Sequence, residues 1–283
     1  TEDGLGHQDT FRGAARAVTA SAPPSLGEHT AYPGRVTRRP LLIETALVLG
    51  VSLGASAIWS VLRIVDLLTR PGSIAAQTTS MNSSITPDRP WLDLAYQLVG
   101  IGLGVVPALL AVFLLQRDDA HARESMGLDL RSPGRDLLRG LGLAAIIGLP
   151  GLGFYLAARA MGINTTVAAA NLSGAWWTIP VLILAAAQNA VLEEVVMVGY
   201  LFSRWRASGL GRWQVILGSA LIRGGYHLYQ GFGGFLGNVA MGVVFGWVYT
   251  RTRRVMPLVL AHTVLDVVAF VGYALLKDRL GWL

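Results

Sequence analysis

Ile179–Phe202, IPVLILAAAQNAVLEEVVMVGYLF, is long enough to cross a bilayer and carries two adjacent carboxylates, Glu193 and Glu194, in its interior. About 20 apolar residues in a helix span the hydrocarbon core. A carboxylate at that depth costs about 2.5 kcal/mol or more, so two in succession need a reason to be there. His227, His262 and Asp266 follow, each within a further apolar stretch. Such a group reads as a functional site inside the membrane.

Composition agrees. Hydrophobic residues make up 53% of the chain and charged residues 14%, with the apolar residues gathered in blocks of membrane-crossing length. The expected class is an all-α, polytopic integral membrane protein, a bundle of about seven transmembrane helices. Cysteine is absent from the sequence, which removes disulfides, thiolate metal sites and a cysteine nucleophile. The formal charge of +6 sits in short loops beside the apolar blocks, where it sets orientation, so no nucleic-acid partner is expected. The single lysine, Lys277, among many arginines points to a GC-rich bacterial genome.

The apolar stretches run approximately 41–65, 92–115, 139–161, 177–202, 213–231, 233–250 and 256–276. Residues 1–34 are polar and small, and are expected to form a disordered cytoplasmic tail ahead of a membrane domain at 41–276. Arginines crowd alternate loops: Arg35, Arg38 and Arg39; Arg117 to Arg139; Arg204, Arg206 and Arg212; Arg251, Arg253 and Arg254. By the positive-inside rule these loops and the N-terminus face the cytoplasm of a cell membrane. The connector 117–139 reads as a solvated face or interfacial helix.

Helical rise then gives depths. Glu193 lies roughly 16 Å below Arg204, Arg223 roughly 16 Å from Arg212, and His227 near 22 Å. His262 and Asp266 lie roughly 12 and 18 Å from Arg254. Three helices thus bring polar groups into one slab. Arg223 and His227 are four residues apart, as are His262 and Asp266, so each pair shares a helix face. Glu193 and Glu194 differ by about 100° around their helix, so one faces the cavity and the other a neighbour. Arg223 is the evident countercharge.

These residues resemble the three motifs of the CAAX-prenyl-endopeptidase and bacteriocin-processing family, CPBP or Abi. Its Glu-Glu-x-x-x-Arg motif reads Glu193-Glu194-Val-Val-Met-Val198; Phe-x-x-x-His reads Arg223-Gly-Gly-Tyr-His227; His-x-x-x-Asn/Asp reads His262-Thr-Val-Leu-Asp266. The resemblance covers a CPBP-like core at 176–276. It departs twice, at Val198 and at Arg223. Read as one event, a guanidinium lost from the fourth span is supplied by the fifth and still neutralises the acidic pair.

The resemblance implies an intramembrane endopeptidase acting through a glutamate. Glu193 would activate water as general base, and Glu194 would support the site. His227 would orient that water or pass protons, while His262 and Asp266 would stabilise the oxyanion. The implied substrate is a membrane-associated peptide or protein reached from the cytoplasmic side, with lipid as the other partner and no cofactor. Two carboxylates and two histidines also suit a divalent ion such as zinc, although the resemblance favours the metal-free route. Ser219 shares a helix with His227 but lies about 12 Å away along its axis, too far for a nucleophile–base pair. Tyr226 and Tyr229 read as core aromatics, and Gln188, Asn189 and Asn238 as packing amides. The rival readings are a catalytically inactive membrane scaffold or immunity factor of the same fold, and a proton-coupled transporter.

Overall fold

A computed structural model describes residues 38–279; the expected tail at 1–34 falls outside them. Ten α-helices are described: α1 Arg38–Gly50, α2 Leu53–Thr69, α3 Pro90–Asp118, α4 Ala122–Ser125, α5 Pro133–Ala160, α6 Thr178–Glu194, α7 Leu201–Ala207, α8 Arg212–His227, α9 Phe232–Thr252 and α10 Met256–Leu276. A π-helical turn, Val195–Tyr200, joins α6 to α7 without a break in the chain's direction of travel.

The apolar stretches are helical as expected, but they do not all qualify as spans. Among the described residues, five helices are long and apolar enough to cross a membrane: α3, α5, the continuous α6–α7 helix, α9 and α10. A sixth is possible if α1 and α2, bent by 58° at Val51–Ser52, count as one. The stretch 213–231 falls short, because α8 stops at His227 after 16 residues and a 3-10 turn, Leu228–Gln230, follows. Sixteen residues rise about 24 Å, less than the hydrocarbon thickness.

Proline placement explains several boundaries. Pro90, Pro133 and Pro257 lie in first turns, where the missing N–H costs nothing. Pro107 and Pro150 lie inside α3 and α5.

Burial identifies the central helix. Of the apolar windows, 61% of the α6–α7 window is buried, against 17% in α3 and 11% in α5. The latter two therefore turn most of their side chains outward, as lipid-facing helices do. α8 packs on α9 and α2, while α10 packs on α6 and α5. The α8–α9 contact is close because Gly224 has no side chain: a Cβ there would lie 2.4 Å from Val239 Cγ2 and 2.8 Å from the Phe235 carbonyl oxygen.

A small parallel sheet, unforeseen in an all-α reading, lies at the end away from the arginine-rich loops. β1, Thr78–Ser80, pairs with β2, Thr166–Ala168, in the register Thr79↔Val167. It is stitched to the turn after α8: Thr79 Oγ1 donates to the Tyr229 carbonyl, and the Thr165 N–H donates to that of Gln230. Gly231 closes this turn at φ +110°, and a Cβ would meet the Ile163 carbonyl oxygen at 2.6 Å. Three-residue strands show no useful alternation, which is why the sequence pattern missed them.

The connector 117–139 is docked rather than free in solvent. Val255 and Met256 N–H donate to the carbonyls of Met126 and Gly127, and Arg254 pairs with Asp129 at 2.9 Å and Asp136 at 2.6 Å. The Arg254 guanidinium and the Arg131 N–H hold the Asp129 carboxyl below the usual carboxylate range. This clamp fixes the start of α10, the helix that carries His262 and Asp266.

Candidate active site

The site is assembled from α6, α8 and α10. Glu193 and Glu194 end α6, directly before the π-turn. Glu194 is fully buried and Glu193 keeps 8% exposure; despite their angular offset, both carboxylates reach the same neighbours, Arg223 and His262, rather than one facing a cavity and the other a separate helix. Arg223, 1% exposed, reaches across from α8: Nη2 donates to Glu194 Oε1 at 2.8 Å and Nη1 to Glu193 Oε2 at 3.2 Å. The Phe245 ring lies 5.6 Å from the guanidinium carbon and covers it. One guanidinium therefore spans both carboxylates, the part expected of it from sequence, while Val198 lies buried in the apolar core.

His262 approaches from α10. Its Nδ1 is 2.7 Å from Glu194 Oε1. An ionised carboxylate only accepts, so Nδ1 carries the hydrogen in this contact. Nε2 then lies 4.0 Å from Glu193 Oε2 and 3.6 Å from Asp266 Oδ1, distances that suit a bridging group rather than a direct bond. Asn189 on α6 stands beside Asp266, a polar contact beyond the packing role read for it.

His227 is placed differently. Its Nδ1 bonds the Arg223 carbonyl oxygen at 3.1 Å, one turn back on its own helix, and it makes no hydrogen bond to Glu193 among the described residues. Its ring stands 4.8 Å from Tyr226 and 6.3 Å from Tyr229. The backbone bond fixes the tautomer and leaves Nε2 without a hydrogen-bond partner among the described residues.

Tyr226 is the residue that sequence reasoning missed. Its ring packs in the buried core as expected, but its hydroxyl donates to Glu193 Oε2 at 2.7 Å, so it also joins the polar cluster. The signal was present: Tyr226 is three residues beyond Arg223 and shares its helix face. Tyr226→Phe is expected to lower stability by about 1.5–3 kcal/mol, the worth of a hydrogen bond to a charged group. Thermal unfolding in detergent checks this, and an unchanged midpoint would exclude the bond as a stabilising contact.

The result for Glu193 is asymmetric. Oε2 is held by Tyr226 and Arg223, whereas Oε1 has no partner among the described residues. Glu193, Glu194 and His262 each offer one ligand atom, all within 4.8 Å of one another, which is compact enough for a metal ion. The Arg223 guanidinium already occupies the same carboxylates, and its charge opposes a second cation there.

A second charged cluster ties the lower end of the central helix. Arg204, counted from sequence among loop arginines, is 5% exposed and binds Glu44 at 2.7 Å, Asp118 at 2.6 Å and the Leu114 carbonyl at 2.8 Å. Tyr200 Oη also donates to Glu44, at 2.8 Å. Glu44 is thus an anchor between helices.

Residues 175–268 match a protein-family model described as type II CAAX prenyl endopeptidase Rce1-like. The match takes in about a third of the chain and all three motif segments. No curated protein and no solved structure matches the chain.

Proposed function

Through residues 175–268 the chain belongs to the CPBP family, and from that premise we propose that it hydrolyses a peptide bond of a membrane-associated peptide or protein using water activated by Glu193. The observation that carries this reading is the free Oε1 of Glu193 on a carboxylate whose other oxygen is clamped. A general base needs one oriented, unengaged oxygen within reach of water.

In the proposed reaction, Oε1 takes a proton from water as the water oxygen bonds to the scissile carbonyl carbon. The developing oxyanion is met by His262 Nε2, which donates only as the imidazolium, a charge that Glu194 and Asp266 flank. Arg223 bridges the two glutamates as their countercharge without itself touching substrate. The C–N bond then breaks and Glu193 returns its proton to the leaving amine. In this reading His227 passes protons at the edge of the cluster through Nε2. The supporting role of Glu194 is to hold Arg223 and His262 together.

The β1–β2 layer bears on access. The segment after β2 packs Ala169 and Ala170 on Phe270 of α10 and on Leu182 and Ala186, which lie about 10–16 Å along α6 from Glu193. That cover lies away from the arginine-rich loops and favours entry from the other side or laterally, in keeping with a cytoplasmic approach.

The test uses the full chain in proteoliposomes with a library of membrane-associated peptides, read by mass spectrometry. Fragments are expected from the unsubstituted protein, undiminished by a chelator. Cleavage abolished by the chelator and restored by zinc would replace the metal-free mechanism with a metal-dependent one. Intact peptides throughout would overturn the peptidase reading, in favour of a scaffold, or of a transporter if the liposomes acidify.

A further inference from the structure

Glu193 and Glu194 are followed at once by the π-turn Val195–Tyr200, a rare conformation that widens the helix by one residue. Its position has a mechanical consequence. Upstream, the helix is anchored by Glu193 and Glu194 to Arg223 and His262. Downstream, it is anchored by Tyr200 and Arg204 to Glu44, Asp118 and the Leu114 carbonyl. Each residue of an α-helix turns about 100°. If the wide turn relaxed to a regular helix, one set of anchors would rotate by about that angle relative to the other. Both sets are satisfied only while the extra residue is held in the π-turn.

A π-turn leaves a carbonyl without its helical donor. Here the Leu201 N–H reaches back to the carbonyls of Val196 and Val198, passing over Met197 between them. The Met197 carbonyl oxygen is instead met from another helix: Ser219 Oγ on α8 donates to it at 2.7 Å, in a site where Ser219 is 3% exposed. Serine hydroxyls inside helices commonly bond a carbonyl of their own preceding turn. This one crosses to α6–α7. Ser219 is four residues before Arg223 and seven before Tyr226, so one face of α8 meets the π-turn, Glu194 and Glu193 in sequence.

We infer that Ser219 is a positioning residue: by supplying the hydrogen bond that Met197 loses in the π-turn, it fixes the rotation of Glu193 and Glu194 towards Arg223 and His262. Its effect on rate rests on the peptidase reading above; the hydrogen bond itself does not. Ser219 has no part in bond making, since its proton is committed to the Met197 backbone carbonyl.

Two readouts test this. In the cleavage assay, Ser219→Ala is expected to lower kcat about 10- to 100-fold, the effect of a slight misplacement of a reacting group. KM is expected to stay within about twofold, as no binding contact is removed. Ser219→Thr, which keeps the hydroxyl, is expected to restore kcat. In parallel, the full chain is labelled with 13C=O methionine, and infrared spectra of Ser219→Ala and unsubstituted protein are subtracted. Of the six methionine carbonyls, one band is expected to move to higher frequency in Ser219→Ala and to return in Ser219→Thr. Full kcat in Ser219→Ala would overturn the inference while leaving Glu193-dependent cleavage standing. A fall in kcat without the infrared shift would also overturn it. If no protein cleaves, the peptidase reading fails, and the infrared comparison alone decides whether Ser219 holds the π-turn.

Discussion

Glu193→Gln is expected to lower kcat for peptide cleavage by about 10²–10⁴-fold, the range that general acid–base groups contribute. The amide keeps the shape of the carboxylate and accepts from Tyr226 and Arg223 through its carbonyl oxygen. What it loses is the basicity of the oxygen now free at Oε1. The fold should therefore survive while the chemistry stops, and KM should change little because the substrate contacts are untouched. Glu194→Gln makes the informative control. Glu194 is fully buried, with Oε1 shared between Arg223 and His262 and Oε2 lacking a hydrogen-bond partner. Its loss should appear first as lowered stability, with activity following. If Glu193→Gln cleaves at the unsubstituted rate, Glu193 is not the base and the proposed mechanism falls.

Arg223→Leu carries the second large effect. Removing the guanidinium leaves two adjacent carboxylates buried, with His262 and Tyr226 as the remaining hydrogen-bonding partners, and breaking such a buried network costs about 3–5 kcal/mol. Loss of folded protein in detergent, followed by thermal unfolding and by yield after size exclusion, is the expected outcome. Val198→Arg alone should be milder than Arg223→Leu, because the acidic pair keeps its existing partner. Combining the two substitutions tests whether the guanidinium moved between helices: the double variant should be more stable than Arg223→Leu alone. Equal tolerance of Val198→Arg and Arg223→Leu would remove the idea that Arg223 replaces the motif arginine.

The two substitutions bear on different parts of one cluster. Glu193→Gln subtracts a reacting atom and leaves the charges nearly balanced. Arg223→Leu subtracts the charge that permits two carboxylates to sit at this depth. A scaffold of the same fold would need the second and be indifferent to the first, so the pair of outcomes separates an enzyme from an inert relative.

Much of the site was legible from sequence because membrane burial makes polar residues expensive. Glu193, Glu194, Arg223, His262 and Asp266 stood out as charges or imidazoles in apolar helices, and arginine-rich loops supplied their depth. Those five do meet in the structure. His227 fits less simply: it lies at the right depth, but its Nδ1 is spent on its own helix, a choice between two faces that spacing cannot resolve. Tyr226 was passed over because tyrosine is at home in apolar surroundings and gives no alarm by composition.

The amino-acid sequence by itself determined the predominantly helical membrane class, the approximate positions of the long helices and the set of charges that must find one another, since hydrophobic run length and the cost of buried charge are local properties. Tertiary structure alone decided which oxygen of Glu193 stays free, that α8 is too short to span, that Arg204 is buried, and that a π-turn follows the acidic pair. Each of these depends on a partner distant in the chain: Tyr226 is 33 residues from Glu193, Arg204 is 160 from Glu44, and Ser219 is 22 from Met197. Hydrogen bonds are satisfied by whichever group arrives in range, and arrival is settled only by how the helices pack.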